Sequence, residues 1–311
     1  MIFYIPSDIQ GAGLLDFIGD LNGHTNSSGD LSLDFSRLKR ITPAGLVIIA
    51  ANVLRLLRLE RAVHFQGLES CSIAAYLQRM DLLKICGKSI PENFQRHDST
   101  GRFVPVRPID HRVDQMGHEI ALCLAPGGEE YAQPLSDLYE LIWYVFTETA
   151  NNVRQHSGGL GCAAAQVTRS AGMVRLALAD NGRGILRSFQ AAGLEWSQHL
   201  TDTEALAKAL EPKISCKGEP TNQGVGLTLV SRLAKMTKSW LLIASGTGMA
   251  QQLPGREMTF SQLPNQGSFA GTLIVLTFRQ DSVQAFADLL HAAKIEAGLL
   301  QRPRISTIFK S

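Results

Sequence analysis

Two short runs, "CAAAQVTRS" and "MVRLALAD", follow one long helical pattern and are separated only by "AG". Their length and composition read as strands. The pattern before them runs from Pro134 to about His156, with Leu138, Ile142, Phe146 and Val153 on one buried stripe. A helix feeding two strands restricts this half of the chain to an α/β arrangement. The remainder is consistent with that. A turn, "NGRGI", is followed by a polar, loop-like stretch to about 223, with a helical piece at 202–210. A helix over 226–237 is entered through Gly224 and Gly226. "SWLLIASG", "MTFSQL" and "GTLIVLTF" (271–278) read as strands, and "SVQAFADLLHAAKIEAGLL" as a final amphipathic helix.

The first 88 residues alternate in the same way. Helices are expected over 7–21, 42–60 and 72–87, the second started by Thr42 and Pro43 and the third closed by Gly87. "LSLDFS" (31–36) and "AVHFQGL" (62–68) are strand candidates. Residues 88–110 are rich in Pro and polar side chains and read as a linker with one strand, "RFVPVRP". "HRVDQMGHEIALCLA" (111–125) reads as a helix. The expected divisions are therefore 1–88, a linker and connecting helix over 89–130, a second domain over 131–280, and a C-terminal helix and tail over 281–311.

A chain of 311 residues with 45% apolar content has the size of roughly two domains. Its formal charge of +2, from 30 basic and 28 acidic residues, gives no reason to expect nucleic acid or a membrane surface as partner. Five scattered cysteines without a CxxC pair read as reduced thiols. The N-terminus lacks a signal-peptide pattern and no apolar run reaches the ~20 residues of a spanning helix. The expectation is a soluble, cytoplasmic protein.

Three stretches carry chemistry. Glu148, Asn152 and His156 recur every four residues. On an α-helix each such step turns about 40° beyond a full circle, so the three form one slanted stripe. Asn151 is rotated by about 100° from it. A carboxylate and an amide one turn apart suit Mg²⁺ and a nucleophile, since an amide oxygen is a hard ligand and a carboxylate can act as base. The alternative is a polar, fraying helix end. In "LALADNGRGI", Asp180 ends a strand before a Gly-x-Gly turn. Its carboxylate can accept from an exocyclic amine, while Gly182 and Gly184 allow close backbone approach; an ordinary tight turn would look similar. In "TNQGVGLTLVSRLA", Gly-x-Gly opens a helix whose free N–H groups favour an anion. The spacing of a P-loop and that of a dinucleotide fingerprint are both missing.

Taken in order, Glu-x3-Asn-x3-His, Asp-x-Gly-x-Gly-Ile, a long polar loop, Gly-x-Gly-Leu and a late Gly-Thr strand resemble the GHKL ATPase superfamily, which includes the gyrase ATPase and the histidine kinase catalytic domain. The resemblance covers about 131–280, and "FTETANNVRQHSGG" is most similar to anti-sigma-factor serine kinases, with Val153 where Ala is usual. It implies ATP and Mg²⁺ as cofactors. Asn152 would ligate the metal and Glu148 would be general base or water orienter. Asp180 would bind the adenine amino group, with Gly182, Gly184, Ile185 and Thr272 around it. Gly224, Gly226 and Leu227 would approach the phosphates, and residues 186–223 would be a mobile lid. The implied fold is a two-layer α/β sandwich, a mixed sheet packed on helices.

"LSLDFSRLKRITPAGLVIIAANVL" resembles, more loosely, a STAS domain, with Pro43 where that family carries its phosphoacceptor serine. The implied function is a protein serine/threonine kinase acting on a partner protein. The alternative is a nucleotide-gated interaction switch with little turnover. Related kinases often dimerise, which leaves a homodimer open. His118, followed by Glu119, has the dipeptide of a histidine autokinase, but the surrounding helical hairpin is incomplete. The other histidines lack metal-ligand spacing. Lys208, Lys213 and Lys217 could reach phosphates from the lid, although lids are generally polar.

Overall fold

A computed structural model describes residues 1–130, 133–212, 214 and 225–300. The N-terminal part contains β1 (Ile2–Tyr4), β2 (Asp8–Ile9), α1 (Ala12–Asn26), β3 (Leu31–Asp34), β4 (Arg40–Ile41), α2 (Pro43–Arg58), β5 (Val63–Gln66), α3 (Ala74–Arg79) and α4 (Leu82–Ile85). Strands β1, β3 and β5 form a parallel sheet in that order, and β2 pairs in parallel with β4. Parallel neighbours need crossover connections, and α1 and α2 supply them. The helix expected over 7–21 starts later, because Asp8 and Ile9 pair with Arg40 and Ile41. The helix expected over 72–87 is divided at Asp81, whose φ of +55° interrupts it. Asp is one of the few side chains that visits this region readily, and Arg96 holds its carboxylate at 2.7 Å.

The C-terminal part contains β6 (Phe103–Pro108), α5 (Val113–Leu124), α6 (Ser136–Asn152), β7 (Gly161–Thr168), β8 (Met173–Asp180), α7 (Gly184–Ala191), α8 (Asp202–Ala209), α9 (Gly226–Met236), β9 (Trp240–Gly246), β10 (Gly248–Gln252), β11 (Thr259–Gln262), β12 (Phe269–Arg279) and α10 (Phe286–Glu296). Seven strands form one sheet in the order β11-β10-β9-β12-β8-β7-β6. All its pairings are antiparallel, which corrects the expected mixed sheet. Short turns join β7 to β8 and β9 to β10, and a tight turn can only return a strand antiparallel. The parallel pairings lie in the N-terminal part instead. Strand β6, from the stretch read as a linker, forms one edge, where Pro105 and Pro108 are tolerated.

Both faces of this sheet are covered, one by helices of the C-terminal part and the other by the N-terminal part. Ala163, Ala165, Leu176, Leu178, Leu241, Ile243, Ile274 and Leu276 share one core with α5, α6, α9 and α10. Their alternating neighbours, Cys162, Ala164, Ala177, Ala179, Leu242, Ala244, Leu273 and Val275, share another core with the N-terminal part. Helix α2 lies on β7 and β8. The small side chains on that face let it approach closely. Its own residues from Pro43 to Val53 are buried without a gap, as a helix sandwiched between layers requires.

The stretch expected as a mobile lid begins with packed helices. Phe189, Ala205 and Leu206 are buried. Helix α8 starts with a capping box between Thr201 and Glu204. The Asp202 carboxylate accepts the Thr247 N–H at 2.8 Å, which ties α8 to the turn between β9 and β10. Lys208 is paired with Glu211 at 3.0 Å. The remainder of the expected lid, with Lys213 and Lys217, lies outside the described residues apart from Ile214, as does Gly224, expected near the phosphates. Cys71, Cys86, Cys123 and Cys162 are unpaired thiols. Among the described residues no helix is long and apolar enough to cross a membrane.

Candidate functional site

Helix α6 is the axis of the candidate site. Leu138, Leu141, Ile142, Val145 and Phe146 bury one side of it, which leaves Glu148 and Asn152 at the border of that core. The helix does not simply fray after Asn152. It widens into a π turn over Val153–Ser157 and stops at Gly158, which takes a left-handed φ of +65°. Such turns are rare and frequent at functional sites. The turn changes the angular spacing, so His156 does not extend an ideal α-helical stripe from Glu148 and Asn152. Its backbone carbonyl accepts the Ser188 hydroxyl at 3.0 Å.

The π turn delivers Ser157 to the end of β8. There Asp180 is only 2% exposed. One carboxylate oxygen accepts the Gly182 N–H at 2.8 Å and the other the Thr272 N–H at 3.1 Å. The Ser157 and Thr272 side chains also hydrogen-bond to it. Burial raises its pKa to about 6, although each of these bonds pulls the other way. Gly182 and Gly184 follow immediately. The Ile185 N–H donates to Ser245 Oγ at 2.9 Å, and that hydroxyl donates to the Gly271 carbonyl at 2.9 Å. The structure therefore brings Asp180, Gly182, Gly184, Ile185 and Thr272 together.

Ser157, Ser245 and Gly271 complete this cluster and were not read from the sequence. Gly271 has φ +109°, and a Cβ there would lie 2.1 Å from the Asp180 carbonyl oxygen. Its place directly before Thr272 was the available signal. The two serines come from distant segments and had none.

Glu148 lies at the other end, against the start of α9. A Cβ on Gly226 would sit 2.4 Å from its Oε2. Residue 225, which precedes α9, is a valine and cannot accept the free first-turn N–H groups. These donors and the helix dipole favour an anion. Burial raises the Glu148 carboxyl above its ordinary range, opposed by the Lys294 ammonium and a hydrogen bond from the Tyr144 hydroxyl. Tyr144 lies one turn before Glu148 and Lys294 lies on α10; neither was anticipated. Leu227 is half-buried beside Gly226, and Asn152 is half-buried one turn beyond Glu148.

Among the described residues no group of three or more His, Cys, Asp or Glu side chains could hold a metal by itself. Mg²⁺ bound with a nucleotide does not require such a group, because phosphates and water supply most ligands. A single amide oxygen, a helix start without a side-chain cap and a Cα-only approach at Gly226 fit a metal–triphosphate group.

The buried acid has a measurable signature. A folded-state pKa raised from 3.8 to about 6 means that Asp180's contribution to stability is full below about pH 4. It is lost as pH rises through about 6. Urea unfolding of the protein and of Asp180→Asn across pH 4–7 should show wild type losing on the order of 2 kcal/mol relative to the variant. A pH-independent difference would contradict the shift.

No family model matches the chain, and no curated protein matches it.

Proposed function

We propose that the C-terminal part binds Mg-ATP and transfers its γ-phosphoryl group to a protein hydroxyl or to water. One observation carries the reading. A single helix, α6, places Glu148 against the start of α9 at one end and leads through Ser157 to the Asp180–Thr272 cluster at the other. From Glu148 to Ser157 the chain advances nine residues, about 13 Å at α-helical rise and less through the π turn, a length suited to an extended nucleoside triphosphate.

Asp180 accepts a hydrogen bond from the exocyclic amine of the base. A carboxylate has about four lone-pair sites, which the Gly182 and Thr272 N–H groups and the Ser157 and Thr272 side chains now share; the amine takes the place of one hydroxyl, which can rotate away. The N–H groups at Gly226 and Leu227 receive phosphate oxygens, and the Asn152 amide oxygen holds Mg²⁺. When bound, that ion would neutralise phosphate charge. Glu148 takes the proton from the attacking hydroxyl, and a carboxyl with a raised pKa is a better base for that step. Catalysis here comes from positioning and charge stabilisation.

This site is the GHKL-type arrangement suggested by the motifs, nearest to the anti-sigma-factor kinases, in a cytoplasmic signalling protein. The N-terminal part is read as STAS-like. Pro43 is buried as the first residue of α2 and carries no hydroxyl, so it cannot be the phosphoacceptor. Calorimetric titration with Mg-ATP tests the binding. Wild type should bind, and Asp180→Asn should lose at least tenfold in affinity, the equivalent of about 1.4 kcal/mol. Equal affinities would remove Asp180 from the base pocket. The switch without turnover remains the second reading, favoured by the extent to which both faces of the sheet are already packed. Single-turnover release of labelled γ-phosphate separates the two.

A further inference from the structure

Val47, Ala51 and Arg58 recur at spacings of four and seven along α2, which keeps them on one helix face. That face lies on the strands that deliver Asp180. Cys162 Sγ approaches the Val47 carbonyl at 3.6 Å. Asn181 Nδ2 donates to the Ala51 carbonyl at 3.3 Å. Arg58 donates through one Nη to the Gly158 carbonyl and through the other to the Asn181 carbonyl, both at 3.4 Å.

Asn181 is the residue on which these contacts converge. It is 2% exposed and directly follows Asp180. Its Oδ1 accepts the Leu160 N–H at 2.9 Å, and its own N–H donates to the Leu160 carbonyl at 3.0 Å. Two residues on, the Arg183 N–H donates to the Ser157 carbonyl at 2.8 Å. The loop after α6 and the turn after β8 are thus laced together, and α2 holds both from the opposite face of the sheet.

We infer that Asn181 and Arg58 are positioning residues, through which the N-terminal part holds the Asp180 turn in the form that reads the nucleotide base. The inference rests on the ATP reading of that turn. It gives the N-terminal part a role that a tethered sensor would not have. Whatever displaces α2 loosens the grip on Asp180 and changes base recognition, without touching the phosphate end at Gly226. The Arg58 fork bridges two carbonyls, and a lysine at that place supplies a single ammonium that cannot reproduce the planar geometry.

The test compares full-length wild type with Arg58→Ala, Arg58→Lys and Asn181→Ala. Affinities for Mg-ATP and Mg-GTP are measured by calorimetry, and backbone hydrogen exchange is followed over 158–160 and 181–183 with and without nucleotide. Arg58 is exposed, so Arg58→Ala should keep its melting temperature within about 2 °C of wild type. ATP affinity should fall about three- to tenfold, the effect of one or two net hydrogen bonds. GTP affinity should stay unchanged, so the discrimination between the bases narrows, and Arg58→Lys should recover part of it. Exchange in both segments should quicken even without nucleotide. A purely structural role for Arg58 would lower stability and leave the ATP-to-GTP ratio untouched. An unchanged ratio together with unchanged exchange overturns the proposal, and Asn181→Ala checks it independently. If wild type binds neither nucleotide, the ATP reading fails by itself. The exchange comparison then still decides whether α2 holds the turn.

Discussion

Gly271→Ala should be among the most damaging single-methyl changes at the described residues, costing more than about 3 kcal/mol of folding stability. The added Cβ would stand 2.1 Å from the Asp180 carbonyl oxygen and 2.8 Å from its Oδ1. The first contact is with backbone, which cannot swing aside as a side chain can. The φ of +109° is a second obstacle, because it lies in a region that L-residues rarely occupy. Relief would require β12 to move away from β8, but those strands are paired from Leu273 to Arg279. The same shift would remove the Thr272 N–H from Asp180 and loosen the cluster around that carboxylate. Urea unfolding measures the loss directly. A variant with near wild-type stability would show that the approach of β12 to Asp180 is looser than described.

Glu148→Gln should reduce phosphate transfer or release by about 10²–10⁴-fold, the range for loss of a general base. The amide keeps the size of the side chain and its place beside Gly226, so Mg-ATP affinity should change by no more than a few fold. Single-turnover assays with γ-labelled ATP read the first quantity and calorimetry reads the second. Loss of rate with retained binding identifies Glu148 as the base. Equal and negligible turnover in both proteins would instead favour the nucleotide-gated switch. Wild-type activity should rise with pH as the Glu148 carboxyl ionises, with its midpoint above the usual glutamate range.

The elements with strong periodicity were legible in the sequence. Strands β7, β8, β9 and β12 and helices α2, α6, α9 and α10 occupy the segments their patterns predict. Strand β10 was missed because its buried positions are Gly248, Ala250 and Gln252, which give almost no hydrophobic alternation. Helix α7 was missed because it starts within the Gly-x-Gly turn, where local chemistry reads as loop. The burial of both sheet faces was written in the continuous small and apolar runs of β7 and β8, as expected for strands covered on both sides. Nothing local, however, says that the cover comes from α2. The candidate site divides in the same way. Glu148, Asn152 and Asp180 stand out by spacing and by their glycine neighbours. Ser157, Ser245 and Gly271 matter through contacts made only when distant segments meet.

A structure of the full-length protein with Mg²⁺ and a non-hydrolysable ATP analogue tests most directly whether a nucleotide lies along α6. The base should meet Asp180 and Thr272, the phosphates should lie at Gly226, and the metal should be bound by Asn152 with Glu148 facing the γ-phosphate. Nucleotide bound elsewhere on the protein, or absent at saturating concentration while the fold is intact, would contradict it.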